Sequence, residues 1–403
     1  MIRLKLQRRA RPILQPLDGE ARRSCLETMH GISPFIDTAA VEAWDAWFRW
    51  RDRDRLHDLS IEATWQRVVD ALSASGTLAQ AELMDACASW RLLLDERILA
   101  TAGTPFANWP ANDLVAVINV PMFVRRRFSA HAHIDIVALV QTAKLAVCAL
   151  DDAALLQRGH VGRDARLRIG VVGMADAIAL LGAGYDSSAA RQHASHVCGA
   201  IAAGCLEASI RLAHDRKLRF KPTESRLKRA IENGIPTELI RDATRYGVRH
   251  SRLTAITSQP RLALLANNLA DAMDPLLGEN HVHRIATASD TRSVRSSGYA
   301  LIVNRGSLRP SLPDAFATIT QVGMDAQLAL RAAAQRWIDE PITYPLAVAR
   351  VPGDAQWQST RRLAQERGLA EPSWRSLDEC VAPIAAAISA QTPDMLTSRS
   401  TSA

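Results

Sequence analysis

Cysteine is the residue whose placement matters most in this chain, because a thiolate can act as nucleophile, metal ligand or redox carrier only where its spacing and surroundings allow. There are six, Cys25, Cys87, Cys148, Cys198, Cys205 and Cys380, and none forms a C-x-x-C pair. A disulfide framework is not expected in a chain of 403 residues without a secretory pattern. His193 and His196 lie close to Cys198 and Cys205 on one helical stretch, but Cys198 is two residues from His196 and points to another face. With no fourth ligand nominated, packing is the reading for that set. His131/His133 and His281/His283 have the spacing that lets two imidazoles share a strand face, with Asp135 and Glu279 nearby. Neither pair has a third strong partner, so no metal site is assigned. Asp151 and Asp152 are expected to face solvent rather than to form an acid/base pair. No G-x-S-x-G, H-E-x-x-H or G-x-x-x-x-G-K-[ST] pattern occurs. Gly170-x-x-Gly173 lacks the full G-x-G-x-x-G and follows no clear strand, which argues against a dinucleotide loop. No catalytic residue is assigned.

The elements that would position these groups are mostly helical. Residues 1–38 read as an irregular basic arm, broken by Pro12, Pro16 and Pro34 and carrying Arg3, Lys5, Arg8, Arg9 and Arg11 as a solvated face rather than an organellar presequence. Residues 39–105 form a helical segment. Three short amphipathic helices are expected up to Ala88, with Trp44, Trp47 and Trp65 as core anchors. Residues 106–390 form a larger α/β portion. Within it, Leu114–Val120 reads as a strand, and Ile134–Leu156, Ser187–Ala213 and Met324–Ile338 read as helices, the second capped by Ser187 or Ser188. Arg216 to Arg229 is a basic stretch expected to be solvated. Thr287–Ser311 reads as loop with one strand at Tyr299–Val303, and residues 391–403 as a disordered tail.

Composition sets the bounds. Hydrophobic residues make up 48% and charged residues 23%, enough apolar material for a large core. The net charge of +7 favours anionic partners, including nucleotides, through long-range attraction. No run approaches the roughly 18 apolar residues of a membrane span and no signal-peptide pattern opens the chain, so the expectation is a cytoplasmic protein that does not enter a membrane.

Four ordered segments carry a family resemblance. The tryptophan-rich stretch Val41–Arg51 precedes a helix opening at Thr64-Trp65. Arg168–Ala177 with Leu181–Ser187 is similar to "RRIGLGVMGLADAL…LGIPYDS". Leu264–Asn268 through Asp274-Pro275 is similar to "SLLAGNVSSGIEP". Met324–Asp339 is similar to a "HxxMxAAxQxxVD" helix. Together they resemble the large subunit of ribonucleotide reductases of the adenosylcobalamin-dependent class. The resemblance implies an α/β fold, predominantly helical, in which an N-terminal helical segment precedes an incomplete form of the family's barrel. It implies a ribonucleoside-diphosphate substrate, adenosylcobalamin as cofactor, and self-association or a full-length reductase chain as partner. It also implies a radical cysteine and a reducing cysteine pair, for which no residue here is a match, because no cysteine lies between Thr101 and Val124 where a longer central portion with a finger loop is expected. The family's phosphate loop aligns with Thr257–Ala263, so Ser258, Gln259, Pro260 and Arg261 are its equivalents. Pro260 lacks an N–H and has a fixed φ, so that loop is degenerate as a phosphate cradle. A non-catalytic relative is the expectation, with an active reductase component and a basic nucleotide- or nucleic-acid-binding protein as the alternatives.

Overall fold

The computed structural model describes residues 34–52, 55–74, 79–158, 165–217, 219–287, 290–307 and 313–377. The expected tail and nearly all of the expected basic arm lie outside them, as do Cys25 and Cys380.

The N-terminal helices pack around one buried carboxylate. Helix α1 (Thr38–Trp47) is followed by the strand pair β1 (Arg51–Asp52) and β2 (Arg55–Leu56), then α2 (Ile61–Ser73), α3 (Gln80–Ala88), β3 (Leu92–Leu94) and α4 (Glu96–Thr101). The Ser60 hydroxyl caps α2 by accepting the Ala63 N–H. Asp58 accepts hydrogen bonds from the Thr64 hydroxyl (2.7 Å), the Trp50 N–H (3.0 Å) and the Arg67 guanidinium (2.9 Å), while the Trp44 indole donates to Thr64. Trp44, Trp47 and Trp65 are buried, as an anchoring role requires.

The main sheet follows. Its strands are β3, β4 (Leu114–Asn119), β7 (Arg166–Val172) and β8 (Arg252–Thr254), in that spatial order. β3 is antiparallel to β4, whereas β4, β7 and β8 run parallel, with Leu114 opposite Leu167 and Ile169 opposite Thr254. Every residue of β4 is buried, as expected of a strand covered on both faces. Between β4 and β7 come the small ladder of β5 (Val124–Arg125) with β6 (His133–Ile134) and the long helix α5 (Ile136–Arg158). After β7 come α6 (Met174–Leu180), α7 (Ser188–Asp215), α8 (Glu224–Glu232) and α9 (Thr237–Tyr246) before the chain returns to the sheet at β8. The hydroxyl of Ser187 caps α7 through the Ala190 N–H. α7 is long and apolar enough in composition to cross a bilayer, but 56% of that window is buried inside the protein, as in a core helix.

The remainder comprises α10 (Pro260–Leu265), the antiparallel hairpin β9 (His281–Ala286) and β10 (Thr291–Ser296), α11 (Tyr299–Arg305), α12 (Met324–Gln335), β11 (Leu346–Val348), α13 (Asp354–Glu366) and β12 (Trp374–Ser376). β11 pairs in parallel with β12, over a cluster of Met324, Leu328, Leu346, Val348 and Ala364. The molecule is thus α/β and predominantly helical, and none of its described sheets closes on itself.

Three expectations are corrected. The segment expected as loop with a strand at Tyr299–Val303 contains strand β10 and helix α11 instead: β10 carries polar residues because only Val294 and Ser296 of it are buried, which hides its period. Gly170 lies inside a strand, and Gly173 sits at a strand-to-helix turn with φ +71°. Both glycines answer to packing: a Cβ on Gly170 would stand 2.4 Å from the Ala255 carbonyl oxygen, and one on Gly173 2.9 Å from the Pro121 ring. Asp151 and Asp152 are wholly buried rather than solvent-facing, for the reason given next.

Candidate functional site

The loop after β8 and the turn after α10 form one unit. Pro260 opens α10, where a missing N–H costs nothing and the fixed φ suits the helix. Beyond α10 the backbone takes left-handed conformations at Asn267 (φ 68°), Asn268 (φ 60°) and Ala272 (φ 49°) and folds back on itself. The end of β7 holds this return in place: the Gly173 N–H donates to the Ala270 carbonyl at 2.9 Å, and Asp176 accepts the N–H groups of Ala270 (2.8 Å) and Ala300 (2.9 Å). Burial pushes the Asp176 carboxyl up to about 6 against those two hydrogen bonds.

The result is that Asp271 is delivered onto the loop. Its carboxylate accepts the Ser258 hydroxyl at 2.5 Å and the Gln259 backbone N–H at 2.7 Å. Arg375, from β12, donates to Asp271 (3.0 Å), Asp274 (2.5 Å) and the Ser258 hydroxyl oxygen (3.1 Å). Asp274 also faces Arg331 of α12 at 3.4 Å. Arg331 donates to the carbonyls of Tyr344 and Pro345 and lies 3.8 Å over the Tyr344 ring. Tyr185 donates to the Met273 carbonyl at 2.6 Å, and the Tyr344 hydroxyl accepts the Met273 N–H. Arg261 turns away from the loop: it lies 3.4 Å from Glu96 and 5.3 Å over the Trp47 ring. Burial pushes the Glu96 carboxyl up to about 7. The four residues expected to form the loop therefore do not converge on one open point. Ser258 and Gln259 bind an internal carboxylate, Pro260 starts a helix, and Arg261 is an internal cation.

A second polar cluster lies under α5 and α7. Asp151 accepts from Arg249 (2.8 Å) and His250 Nε2 (3.0 Å) and is paired with Arg216, which also binds Asp152. Ser209 accepts the N–H groups of Arg249 and His250, so its own hydroxyl is left to donate to His250 Nδ1 at 3.1 Å. That arrangement fixes Nε2 as the protonated nitrogen facing Asp151. Burial works to raise Asp151, but His250 and Arg249 prevail and hold it below the usual carboxylate range. Burial lowers His250. Serine, histidine and aspartate are thus in hydrogen-bonded sequence, yet all three are fully buried, which leaves no approach for a substrate. The cluster ties α5, α7 and the start of β8 together.

The remaining candidates stay apart. Cys87, Cys148, Cys198 and Cys205 are free and buried. Burial raises all four thiols, Cys87 and Cys198 to about 12, which makes them poor sources of thiolate. His193 is half-buried and His196 exposed, while Cys198 faces the core. His133 Nδ1 meets the His131 carbonyl, Asp135 pairs with Arg125, and Glu279 pairs with Arg305. His281 and His283 do lie on one strand, with His283 buried and pushed down to about 4 by that burial. Among the described residues no three His, Cys, Asp or Glu side chains gather to hold a metal.

Comparison with known proteins decides the family. The model of the ribonucleotide reductase barrel domain matches residues 113–369. This chain belongs to the ribonucleotide reductase family. Two curated members similar to it are vitamin B12-dependent ribonucleoside-diphosphate reductases of Mycobacterium tuberculosis, from strains CDC 1551/Oshkosh and ATCC 25618/H37Rv, each 26% identical over 244 residues, or 54% of this chain. The aligned parts are 33% and 32% of those reductases, so the chain spans about a third of the length of the curated relatives it matches. Asp176, Arg249, His250, Asp271, Arg331 and Arg375 are the polar residues that help organise this reductase-family fold and that sequence reasoning passed over, while Asp151 was expected at the surface and is buried. Asp176 alone carried a signal, a carboxylate inside the apolar run Met174–Leu180.

Proposed function

We propose that this chain is a non-catalytic member of the ribonucleotide reductase family, acting through association with itself or with a full-length reductase chain. The observation that carries this reading is the Asp271 carboxylate on Ser258 and the Gln259 N–H, with Arg375 as its counter-ion. A substrate phosphate bringing at least one negative charge to those donors would meet a carboxylate already bound there, and displacing it would strip the partly buried Asp271 of two of its hydrogen-bond donors and leave Arg375, shared with Asp274, as its partner. The open four-stranded sheet is read as an incomplete form of the family's barrel, in a chain divided near residue 105 and working in the cytoplasm. Sheet edges and apolar faces of such a remnant need a cover, which is the physical case for a partner.

The reductases that resemble this chain are vitamin B12-dependent by name, so adenosylcobalamin is the cofactor to weigh. The described thiols do not fit it: hydrogen-atom transfer to an adenosyl group needs a cysteine free to face the cofactor, whereas Cys87, Cys198 and Cys205 are buried in the core and Cys148, on the wall of a pocket, accepts a hydrogen bond from Arg211 at 3.1 Å. What this chain's residues do is close a phosphate-type loop with an internal anion and hold three helices and a sheet in register.

Calorimetric titration of the purified chain with a ribonucleoside diphosphate tests the loop, and light scattering of the same sample, alone and with a full-length reductase chain, tests association. The expected results are no saturable nucleotide binding and a stable oligomer or complex. Saturable binding abolished by Ser258→Ala, or a monomer that engages no reductase chain, would overturn the proposal.

A further inference from the structure

We infer that the space under α8 is a binding site for a small aliphatic carboxylate. A cavity of about 70 Å³ lies between α7, α8, α9, β8 and the segment after α12. Its apolar wall includes Ala202, Leu206, Leu227, Ile240, Ala243 and Leu253. It is smaller than the roughly 150 Å³ cavity that admits benzene, so a short alkyl chain fits and a fused ring does not.

The mouth has a different character. Arg229 and Arg336 line it and are exposed. Arg229 has no ion-pair or hydrogen-bond partner among the described residues. Arg336 uses only Nε on a side chain, the Asn233 oxygen at 3.1 Å. The single acid in the lining, Asp339, is already engaged: it accepts the Leu253 N–H at 2.8 Å and pairs with Arg226 at 3.2 Å. An apolar cleft beneath two guanidiniums without a carboxylate calls for a ligand with an alkyl body and an anionic head.

α8 is built to cover such a ligand and to yield. None of its residues is buried. It is held at its start by the Thr223 cap and by Arg226, which donates to the Ser251 carbonyl at 2.8 Å, and at its end by Asn233, which donates to the Arg336 carbonyl at 2.5 Å. Leu227 and Ala230 are the side chains it lays over the cavity. A helix attached at its ends over an underfilled apolar space can close on an alkyl chain without disturbing the sheet. The inference is independent of the loop at Ser258.

The test is calorimetric titration of the full chain with butyrate, with butylamine as the control for charge. Butyrate is expected to saturate at one site per chain and butylamine not to bind. Arg229→Gln combined with Arg336→Gln should weaken butyrate by about tenfold, and because both residues are exposed this variant should keep the wild-type circular dichroism. Ala202→Leu, which fills the cavity, should abolish binding; if it proves unfolded, the double arginine variant decides. Absence of saturable butyrate binding, equal binding of butylamine, or affinity unchanged in the arginine variant would overturn the assignment.

Discussion

Asp151 is a buried carboxylate that joins three cationic or imidazole partners, Arg216, Arg249 and His250. Its partners Arg249 and His250 are as buried as it is, so Asp151→Asn removes a charge that they need and leaves Arg249 without compensation. The expected loss is about 3–5 kcal/mol of unfolding free energy in urea. Asp271→Ala should be milder, about 2–4 kcal/mol, because Arg375 retains Asp274 as a partner. His250 also sets a pH dependence. Its folded pKa lies below the ordinary 6.5, so the unfolded chain binds more protons in that range, and the stability it confers is present above pH 6.5 and lost as pH falls. His283, held at about 4, adds to the same trend between those values. The raised carboxyls of Asp176 and Glu96 act in the opposite direction, gaining stability as pH falls, so from pH 7 to pH 4.5 the unfolding free energy of the native chain should decline relative to that of the His250→Gln, His283→Gln double variant.

At the scale of elements, the long helices were legible because their apolar residues recur at helical spacing over many turns: Ile134–Leu156 was expected where α5 runs from Ile136 to Arg158, and the Ser187 cap holds α7 as expected. Strand β4 was equally legible from its β-branched apolar run. The hairpin of β9 and β10 was not, because only one or two positions of each strand meet the core, and a polar ribbon has the composition of a loop. The polar clusters were illegible for another reason: Asp151 and Arg249 are 98 residues apart, and nothing in local spacing announces a pair closed by tertiary packing. In the stretch Thr257–Ala263, aligned with the family's phosphate loop, Pro260 opens a helix, and the carboxylate that Ser258 binds was not legible, since Asp271 reaches Ser258 only through the left-handed turn at Asn267 and Asn268. Gly170 tests the packing account at this scale. Gly170→Val would drive a side chain into the Ala255 carbonyl and separate β7 from β8, and hydrogen exchange should show faster amide exchange at Leu253 to Ala255 than in the native chain.

The whole molecule joins a reductase-family framework to a site closed by its own residues. The family match runs from residue 113 to 369 and takes in the main parallel strands, α5, α7, the return loop and α12. Within that framework the loop donors bind Asp271, and the described thiols are buried, Cys148 on a pocket wall and hydrogen-bonded by Arg211. The proposal that the chain is a non-catalytic family member predicts that it does not support radical reduction of a nucleotide. The most direct measurement is visible absorbance of adenosylcobalamin mixed with the full chain, a dithiol reductant, a ribonucleoside diphosphate and an effector nucleotide, followed by assay for deoxynucleotide. The account predicts an unchanged cofactor spectrum and no deoxynucleotide, with circular dichroism showing the chain folded. Cleavage of the cobalt–carbon bond accompanied by deoxynucleotide formation would contradict it.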